Sequence, residues 1–313
     1  MVAERVTKPA VAEAGDSGPA ILLGGMTEAG AAGARRNAMS VDVEDYFQVQ
    51  ALAEAVSRDD WDRLPRRVEQ NTHRVLDLFA TRGVKATFFT LGWVAERHPA
   101  LIRRIVAEGH ELASHGREHV RADAQSPAAF RDDVRHAKQV LEECGGIAVR
   151  GYRAASFSIG RSNPWAFAIL AEEGYSYSSS LYPVKHDLYG MPEAPRFPFR
   201  PFGNRGFREF PITSLRLLGR NFPCGGGGYF RLLPYAVSRL ALAAVQHRDG
   251  RPCVFYFHPW EIDPDQPVQT GLSFKSRFRH YTNLGRMEGK LDRLLSDFAW
   301  DRVDRVLDQE LPE

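Results

Sequence analysis

From Met39 onward the sequence alternates short apolar runs with amphipathic helical segments, and the chemically active side chains follow directly after the apolar runs. Few folds satisfy that alternation. Ser40–Val43 reads as a short strand running into acids at Asp42, Glu44 and Asp45. Val68, Val75, Leu76 and Phe79 share a face, which predicts a helix over Arg66–Thr81 ended by Gly83. Ala86–Leu91 reads as a buried strand. Pro99 opens a helix with Leu101, Ile102, Ile105 and Val106 facing inward, and Gly109 closes it. His110–Ser114 is the next strand. Ser126-Pro127 supplies an N-cap and a first-turn proline for a helix through Phe130, Val134, Ala137 and Leu141 to Gly145-Gly146. Asn163-Pro164 repeats that start, with Gly174 as the stop. Further strands are expected over Tyr175–Leu181, near Glu209–Ile212 and over Pro252–Phe257. Helices are expected from Pro234 to His247 and over Arg286–Phe298.

This pattern argues for an α/β fold: a mainly parallel sheet covered by helices and closed as a barrel. The polar segments would then gather at the C-terminal ends of the strands, where loops converge on one face. Composition narrows the classes. The chain has 313 residues, 43% of them hydrophobic and 26% charged, with a net charge of +2. Such balance gives no argument for a nucleic acid or an anionic membrane as partner. No apolar run approaches the roughly 18 residues needed to span a bilayer, so no integral membrane segment is expected. Three scattered cysteines, Cys144, Cys224 and Cys253, do not suggest a disulfide framework. Residues 1–37 are rich in Ala and Gly and read as a disordered leader. The run Ala20–Leu23 is too brief for a secretory segment, so a cytoplasmic location is expected, with the periplasm left open. Residues 38–313 read as a single domain, in which 184–230 is an insert rich in Pro, Gly, Phe and Arg.

Four segments carry the chemistry. His115 and His119 stand at i and i+4, which in a helical turn places two imidazoles on one face, close enough to hold one ion. Asp42, Glu44 and Asp45 offer an acid as third ligand. Three acids so close repel one another unless a cation or an arginine is near. Asp45 is taken as the ligand, and Glu44 or Asp42 as a general base. His258 leaves the apolar strand Cys253–Phe257 as a candidate general acid, beside Trp260 and Glu261 as an aromatic wall and a carboxylate. Arg153, in Gly151–Phe157, is placed to hold a base carboxylate ionised and oriented. Trp260, Tyr229 and Phe230 are candidate substrate-binding aromatics.

In this order the four segments resemble the polysaccharide deacetylase family, the NodB-homology or carbohydrate esterase family 4 group, over about Met39 to Leu307. Val41–Phe47, Gly226–Arg231, Phe255–Glu261 and Phe278–Tyr281 are similar to the branch associated with exosortase and exopolysaccharide gene clusters, which carries an extra C-terminal region, here 265–313. The resemblance implies a distorted (β/α) barrel and one divalent metal ion, usually zinc, held by Asp45, His115 and His119. It implies Glu44 or Asp42 as base, Arg153 as its orienter and His258 as acid. The implied reaction removes N-acetyl groups from an amino-sugar polysaccharide or oligosaccharide, in exopolysaccharide biosynthesis. Two departures stand out. Glu44-Asp45 replaces the family's two adjacent aspartates, with an extra acid at Asp42. Ser178 stands where relatives often have an aspartate, so Glu261 or another group has to replace that acid. An allantoinase-like cyclic amide hydrolase and a non-catalytic carbohydrate-binding protein are the competing readings.

Overall fold

The computed structural model of the chain describes residues 36–187, 189–203 and 206–312. The leader expected over residues 1–37 lies outside them except for Arg36 and Asn37, and Asn37 already opens the first strand. In chain order the elements are β1 (Asn37–Val43), α1 (Val68–Arg82), β2 (Thr87–Thr90), α2 (Gly92–Arg97), α3 (Pro99–Ala107), β3 (Glu111–Ser114), α4 (Pro127–Gly145), β4 (Gly151–Tyr152), α5 (Trp165–Glu172), β5 (Tyr177–Ser178), β6 (Arg208–Glu209), β7 (Ser214–Leu217), β8 (Arg220–Pro223), α6 (Gly227–Leu232), α7 (Tyr235–Ala244), β9 (Val254–Phe257), α8 (Phe274–Tyr281), α9 (Leu284–Asp297), β10 (Trp300–Asp301) and α10 (Val303–Glu310).

Strands β1 to β6 pair in sequence order, all parallel, and β9 and β10 also pair parallel to β1. β1 is therefore the hub of the sheet. No strand pair joins β6 to β9 among the described residues. The gap is crossed by single hydrogen bonds: Ile212 N–H to Leu181 O, Gly225 N–H to Thr213 O, and Tyr256 N–H to Gly225 O. The result is the expected distorted (β/α) barrel, closed on one side by irregular backbone.

Period-2 alternation sorts the side chains. Met39, Val41, Val43, Phe88, Leu112, Phe255 and Phe257 point outward and form the main core with the helices. Ala38, Phe89, Ala113, Tyr177, Val254 and Tyr256 point inward, and Val303, Val306 and Leu307 of α10 join them at the N-terminal ends of the strands. The floor of the barrel is thus filled with apolar side chains, and the opposite mouth is left to polar ones.

Departures from the sequence expectation are local. The strand expected over Tyr175–Leu181 shortens to β5, because Ser179 to Leu181 turn away to bond Tyr152 O and Glu209. Helix α8, strand β10 and helix α10 were not expected at all.

One glycine is a steric requirement. A Cβ at Gly151 on β4 would collide with the Tyr177 hydroxyl inside the barrel. Gly151→Ala is expected to destabilise the protein by about 1–3 kcal/mol, the usual range for overpacking, read by chemical denaturation.

Candidate active site

Asp42 and Glu44 leave the inner face of β1 two residues apart, as the alternation requires. Both are buried, although they sit at the mouth. Asp42 is held by Arg153, whose Nη1 donates to Asp42 Oδ1 at 2.6 Å and to Ser40 Oγ at 2.9 Å. The rest of that guanidinium is fixed by Ser179: Nε donates to its carbonyl at 3.0 Å and Nη2 to its hydroxyl at 3.0 Å. The Phe89 ring lies beneath, 4.0 Å from the guanidinium carbon. An arginine with no solvent exposure and every direction occupied is a rigid anchor for one carboxylate.

Glu44, His115 and His119 form a second cluster, with one donor atom from each lying within 4.8 Å of the others. Glu44 Oε2 is 3.0 Å from His119 Nε2 and 3.9 Å from His115 Nε2. The same oxygen is buried without a hydrogen-bond partner among the described residues. Two imidazole nitrogens and a carboxylate oxygen gathered this closely are a donor set that a cation fits. Tetrahedral zinc at about 2.0–2.1 Å from each ligand needs donor separations of this order. His115 Nδ1 bonds Arg153 O at 2.8 Å, which leaves Nε2 with a lone pair toward the cluster. Burial holds the His115 pKa down to about 4, so the ring is neutral at pH 7. Glu44 is held down to about 2: burial opposes its ionisation, but His119 and His258 outweigh it.

Two expectations about this cluster need correction. The histidines do not lie on a helical turn. They follow β3 on a loop in which Gly116 has φ +78° and His119 φ +53°, and their ring centroids come within 5.2 Å. Arg58 braces that loop by donating to Glu118 O and His119 O. Asp45 is not in the cluster. Its carboxylate turns away and accepts backbone N–H bonds from Tyr46, Arg67 and Val68, capping the start of α1. Glu44 takes the place expected for Asp45, which leaves Asp42 as the carboxylate beside Arg153.

His258 faces both clusters. Its Nε2 is 3.4 Å from Glu44 Oε1 and 4.0 Å from Asp42 Oδ2, and its Nδ1 is 3.4 Å from Glu261 Oε1. Burial works against its charge, yet Glu44, Glu261 and Asp42 together push its pKa up to about 9. Behind it Trp260 and His280 form a stack, with ring centroids 5.2 Å and 4.2 Å apart in turn. Arg231 lies over Trp260, 3.6 Å from Glu261, and its Nη atoms donate to the carbonyls of Arg279, His280 and Thr282. A Cβ at Gly227 would strike the Glu261 carboxylate, so this glycine gives that carboxylate its room.

The aromatic expectations divide. Tyr229 lines the mouth cavity, which measures about 380 Å³ and also includes Asp42, Glu44, His115, His119, His258 and Glu261. Trp260 touches the cavity but is 5% exposed, a wall behind His258 rather than an open stacking platform. Phe230 is not at the cavity: it is buried in the main core with its ring 5.1 Å from Phe255.

Residues 59–177 match the family described as polysaccharide deacetylase, and residues 179–308 match a domain of unknown function, DUF3473. Over residues 59–177 the chain is thus similar to the polysaccharide deacetylase family. It is 35% identical over 100 residues to a chitooligosaccharide deacetylase of Bradyrhizobium sp. (strain ANU 289), a match covering 32% of this chain and 43% of that protein. The chain thus spans less than half the length of that relative. The fold is similar to a crystal structure of a putative polysaccharide deacetylase from Mycobacterium smegmatis, at 18% identity and TM-score 0.56 over 88% of this chain and 90% of that one. It is also similar to that of Puue allantoinase, at 17% identity and TM-score 0.54 over 88% and 91%.

Against the family pattern, the acid missing at Ser178 has a counterpart. Glu209 on β6 pairs in register with Ser178, and its Oε1 accepts the N–H groups of Ser180 and Leu181 at 2.9 and 2.8 Å. It thereby fixes the Ser179 and Ser180 turn that grips Arg153. A lone acid between two apolar runs gave no sequence signal of this role. Burial raises the Glu209 pKa from 4.5 to about 7, against the lowering effect of Ser178, the backbone N–H groups and Arg153. The folded state therefore favours the protonated acid. Its contribution to stability is full below the ordinary value of 4.5 and lost as pH rises through about 7.

Two measurements test these assignments. Glu44→Ala is expected to lower the affinity for an added divalent ion, read by calorimetric titration. Asp45→Ala should leave that affinity unchanged and lose about 1–3 kcal/mol of stability, as a buried helix cap does. Glu209→Gln, neutral at every pH, should flatten the fall in melting temperature between mildly acidic and mildly alkaline pH. An unchanged profile would contradict the buried-acid account.

Proposed function

We propose that this protein is a metal-dependent hydrolase that removes N-acetyl groups from an amino-sugar-containing polysaccharide or oligosaccharide. The observation that carries the reading is the convergence of Glu44, His115 and His119 with Asp42 and His258 at one cavity. Two imidazoles and a carboxylate suit zinc. Bound there, a divalent ion supplies Lewis acidity toward a carbonyl oxygen and toward water.

The chain's own residues account for the proton traffic. Asp42, pinned by Arg153, accepts a proton from the attacking water. The water oxygen bonds to the acetamide carbon. His258, charged and backed by Glu261, gives its proton to the departing nitrogen as the C–N bond breaks, releasing acetate and a free amine. Tyr229 at the cavity wall offers a face for a sugar ring. Involvement in exopolysaccharide biosynthesis rests on the resemblance of the C-terminal motifs to the exosortase-associated branch.

The experiment is acetate release from N-acetylated chito-oligosaccharides alongside metal content. His115→Ala is expected to lose both. His258→Ala and Asp42→Asn should keep the metal and lose about 10²–10⁴ in turnover, the usual share of a positioned acid or base. Normal turnover by metal-free His115→Ala protein would sink the reading. Ring opening of allantoin without acetate release would favour the allantoinase-like alternative.

A further inference from the structure

We propose that the chain docks on an anionic lipid bilayer through the β7–β8 hairpin and the outward face of α7. Three observations carry this, and none depends on the catalytic reading.

The first is conformational. β7 and β8 are joined by a two-residue turn at Leu218-Gly219, both with positive φ, +48° and +74°. Such turns favour asparagine, aspartate or glycine at the first position. A leucine there bears backbone strain, and here it is also 93% exposed. Water gives no reason to keep that side chain at a hairpin tip, whereas the interface of a bilayer does.

The second is the apolar surface around it. Leu217 and Phe222 are exposed on the hairpin, and α7, which packs against β7, exposes Val237 and Leu240 while burying Tyr235 and Leu242 on its other side. A helix apolar on both sides needs cover on both.

The third is charge. Between Glu209 and Asp249 the sequence has no acidic residue. Arg231 in that stretch is buried near Glu261 and Arg239 pairs with Asp297, but Arg216, Arg220 and Arg248 are exposed without an acidic partner among the described residues. Asp249 itself is engaged by Arg196. The overall charge of +2 hides this local excess. Two copies meeting through the face would bring their arginines together without counter-charge. An anionic lipid surface satisfies both the arginines and the exposed leucines.

Vesicle flotation with the full chain tests the proposal. The protein should float with phosphatidylcholine vesicles containing phosphatidylglycerol, not with phosphatidylcholine alone, and added salt should weaken the binding. Leu218→Asn, which suits the turn, and Leu240→Gln should each weaken it about tenfold without lowering melting temperature or changing acetate release from soluble oligosaccharides. Arg216→Gln combined with Arg220→Gln should remove the preference for anionic vesicles. Absence of flotation, equal binding to both vesicle types, or full binding by Leu218→Asn would overturn the proposal. So would a dimer broken by Leu218→Asn in a protein that binds no vesicle, which would assign the face to a second copy.

Discussion

The buried guanidinium of Arg153 is the constraint on which the mouth of the barrel depends. Carboxylates crowded at strand ends cannot all ionise away from water unless cations are fixed among them. Arg153 supplies one such cation between β1 and the turn after β5. Arg231 supplies another on the far side, beside Glu261. The two arginines do different things. Arg153 donates directly to Asp42 and holds its orientation. Arg231 stays 3.6 Å from Glu261 while three backbone carbonyls claim its Nη atoms, so it ties the end of α8 to the back of His258. Two carboxylates thus have a fixed arginine each, and Glu44 is left to the imidazoles.

That division explains which parts of the site could be read in the sequence. Period-2 alternation along β1 already places Asp42 and Glu44 on one side and Asp45 beyond the strand, and the structure has that arrangement. Taking Asp45 as the ligand sets that alternation aside: Asp45 lies past the strand end, where its carboxylate accepts the backbone N–H groups of Arg67 and Val68. Backbone geometry decided the histidines. The i, i+4 spacing suggests a helix, but Gly116 and His119 both take left-handed φ, and the loop reaches the same proximity by another path.

Other features were hidden because they exist only between strands. Glu209 means nothing in isolation. It becomes the support of the Ser179 turn only because β6 pairs with β5 in the register that sets it opposite Ser178. Phe230 shows the converse: an aromatic inside a motif reads as a ligand platform, yet the short helix α6 turns it into the core and leaves Tyr229 at the cavity. Helix α8 escaped notice because its sequence, Phe274–Tyr281, is basic and aromatic on its exposed side and buries little beyond His280.

The two regions that match different families are physically one barrel. The first family match supplies His115, His119 and Arg153, while His258, Glu261, Arg231 and Glu209 come from the second, and Asp42 and Glu44 precede both. Structure forbids treating the second region as an appendage. β9 lies along β1, β10 pairs with the start of β1, and α10 fills the floor of the barrel with Val303, Val306 and Leu307. Without the second region β1 would be an open edge, its inward carboxylates would face water, and the field that raises the His258 pKa would have neither its imidazole nor Glu261. The chemistry at the mouth and the closure of the sheet are consequences of the same strand pairings, so the C-terminal region acts on the site through the backbone as much as through its side chains.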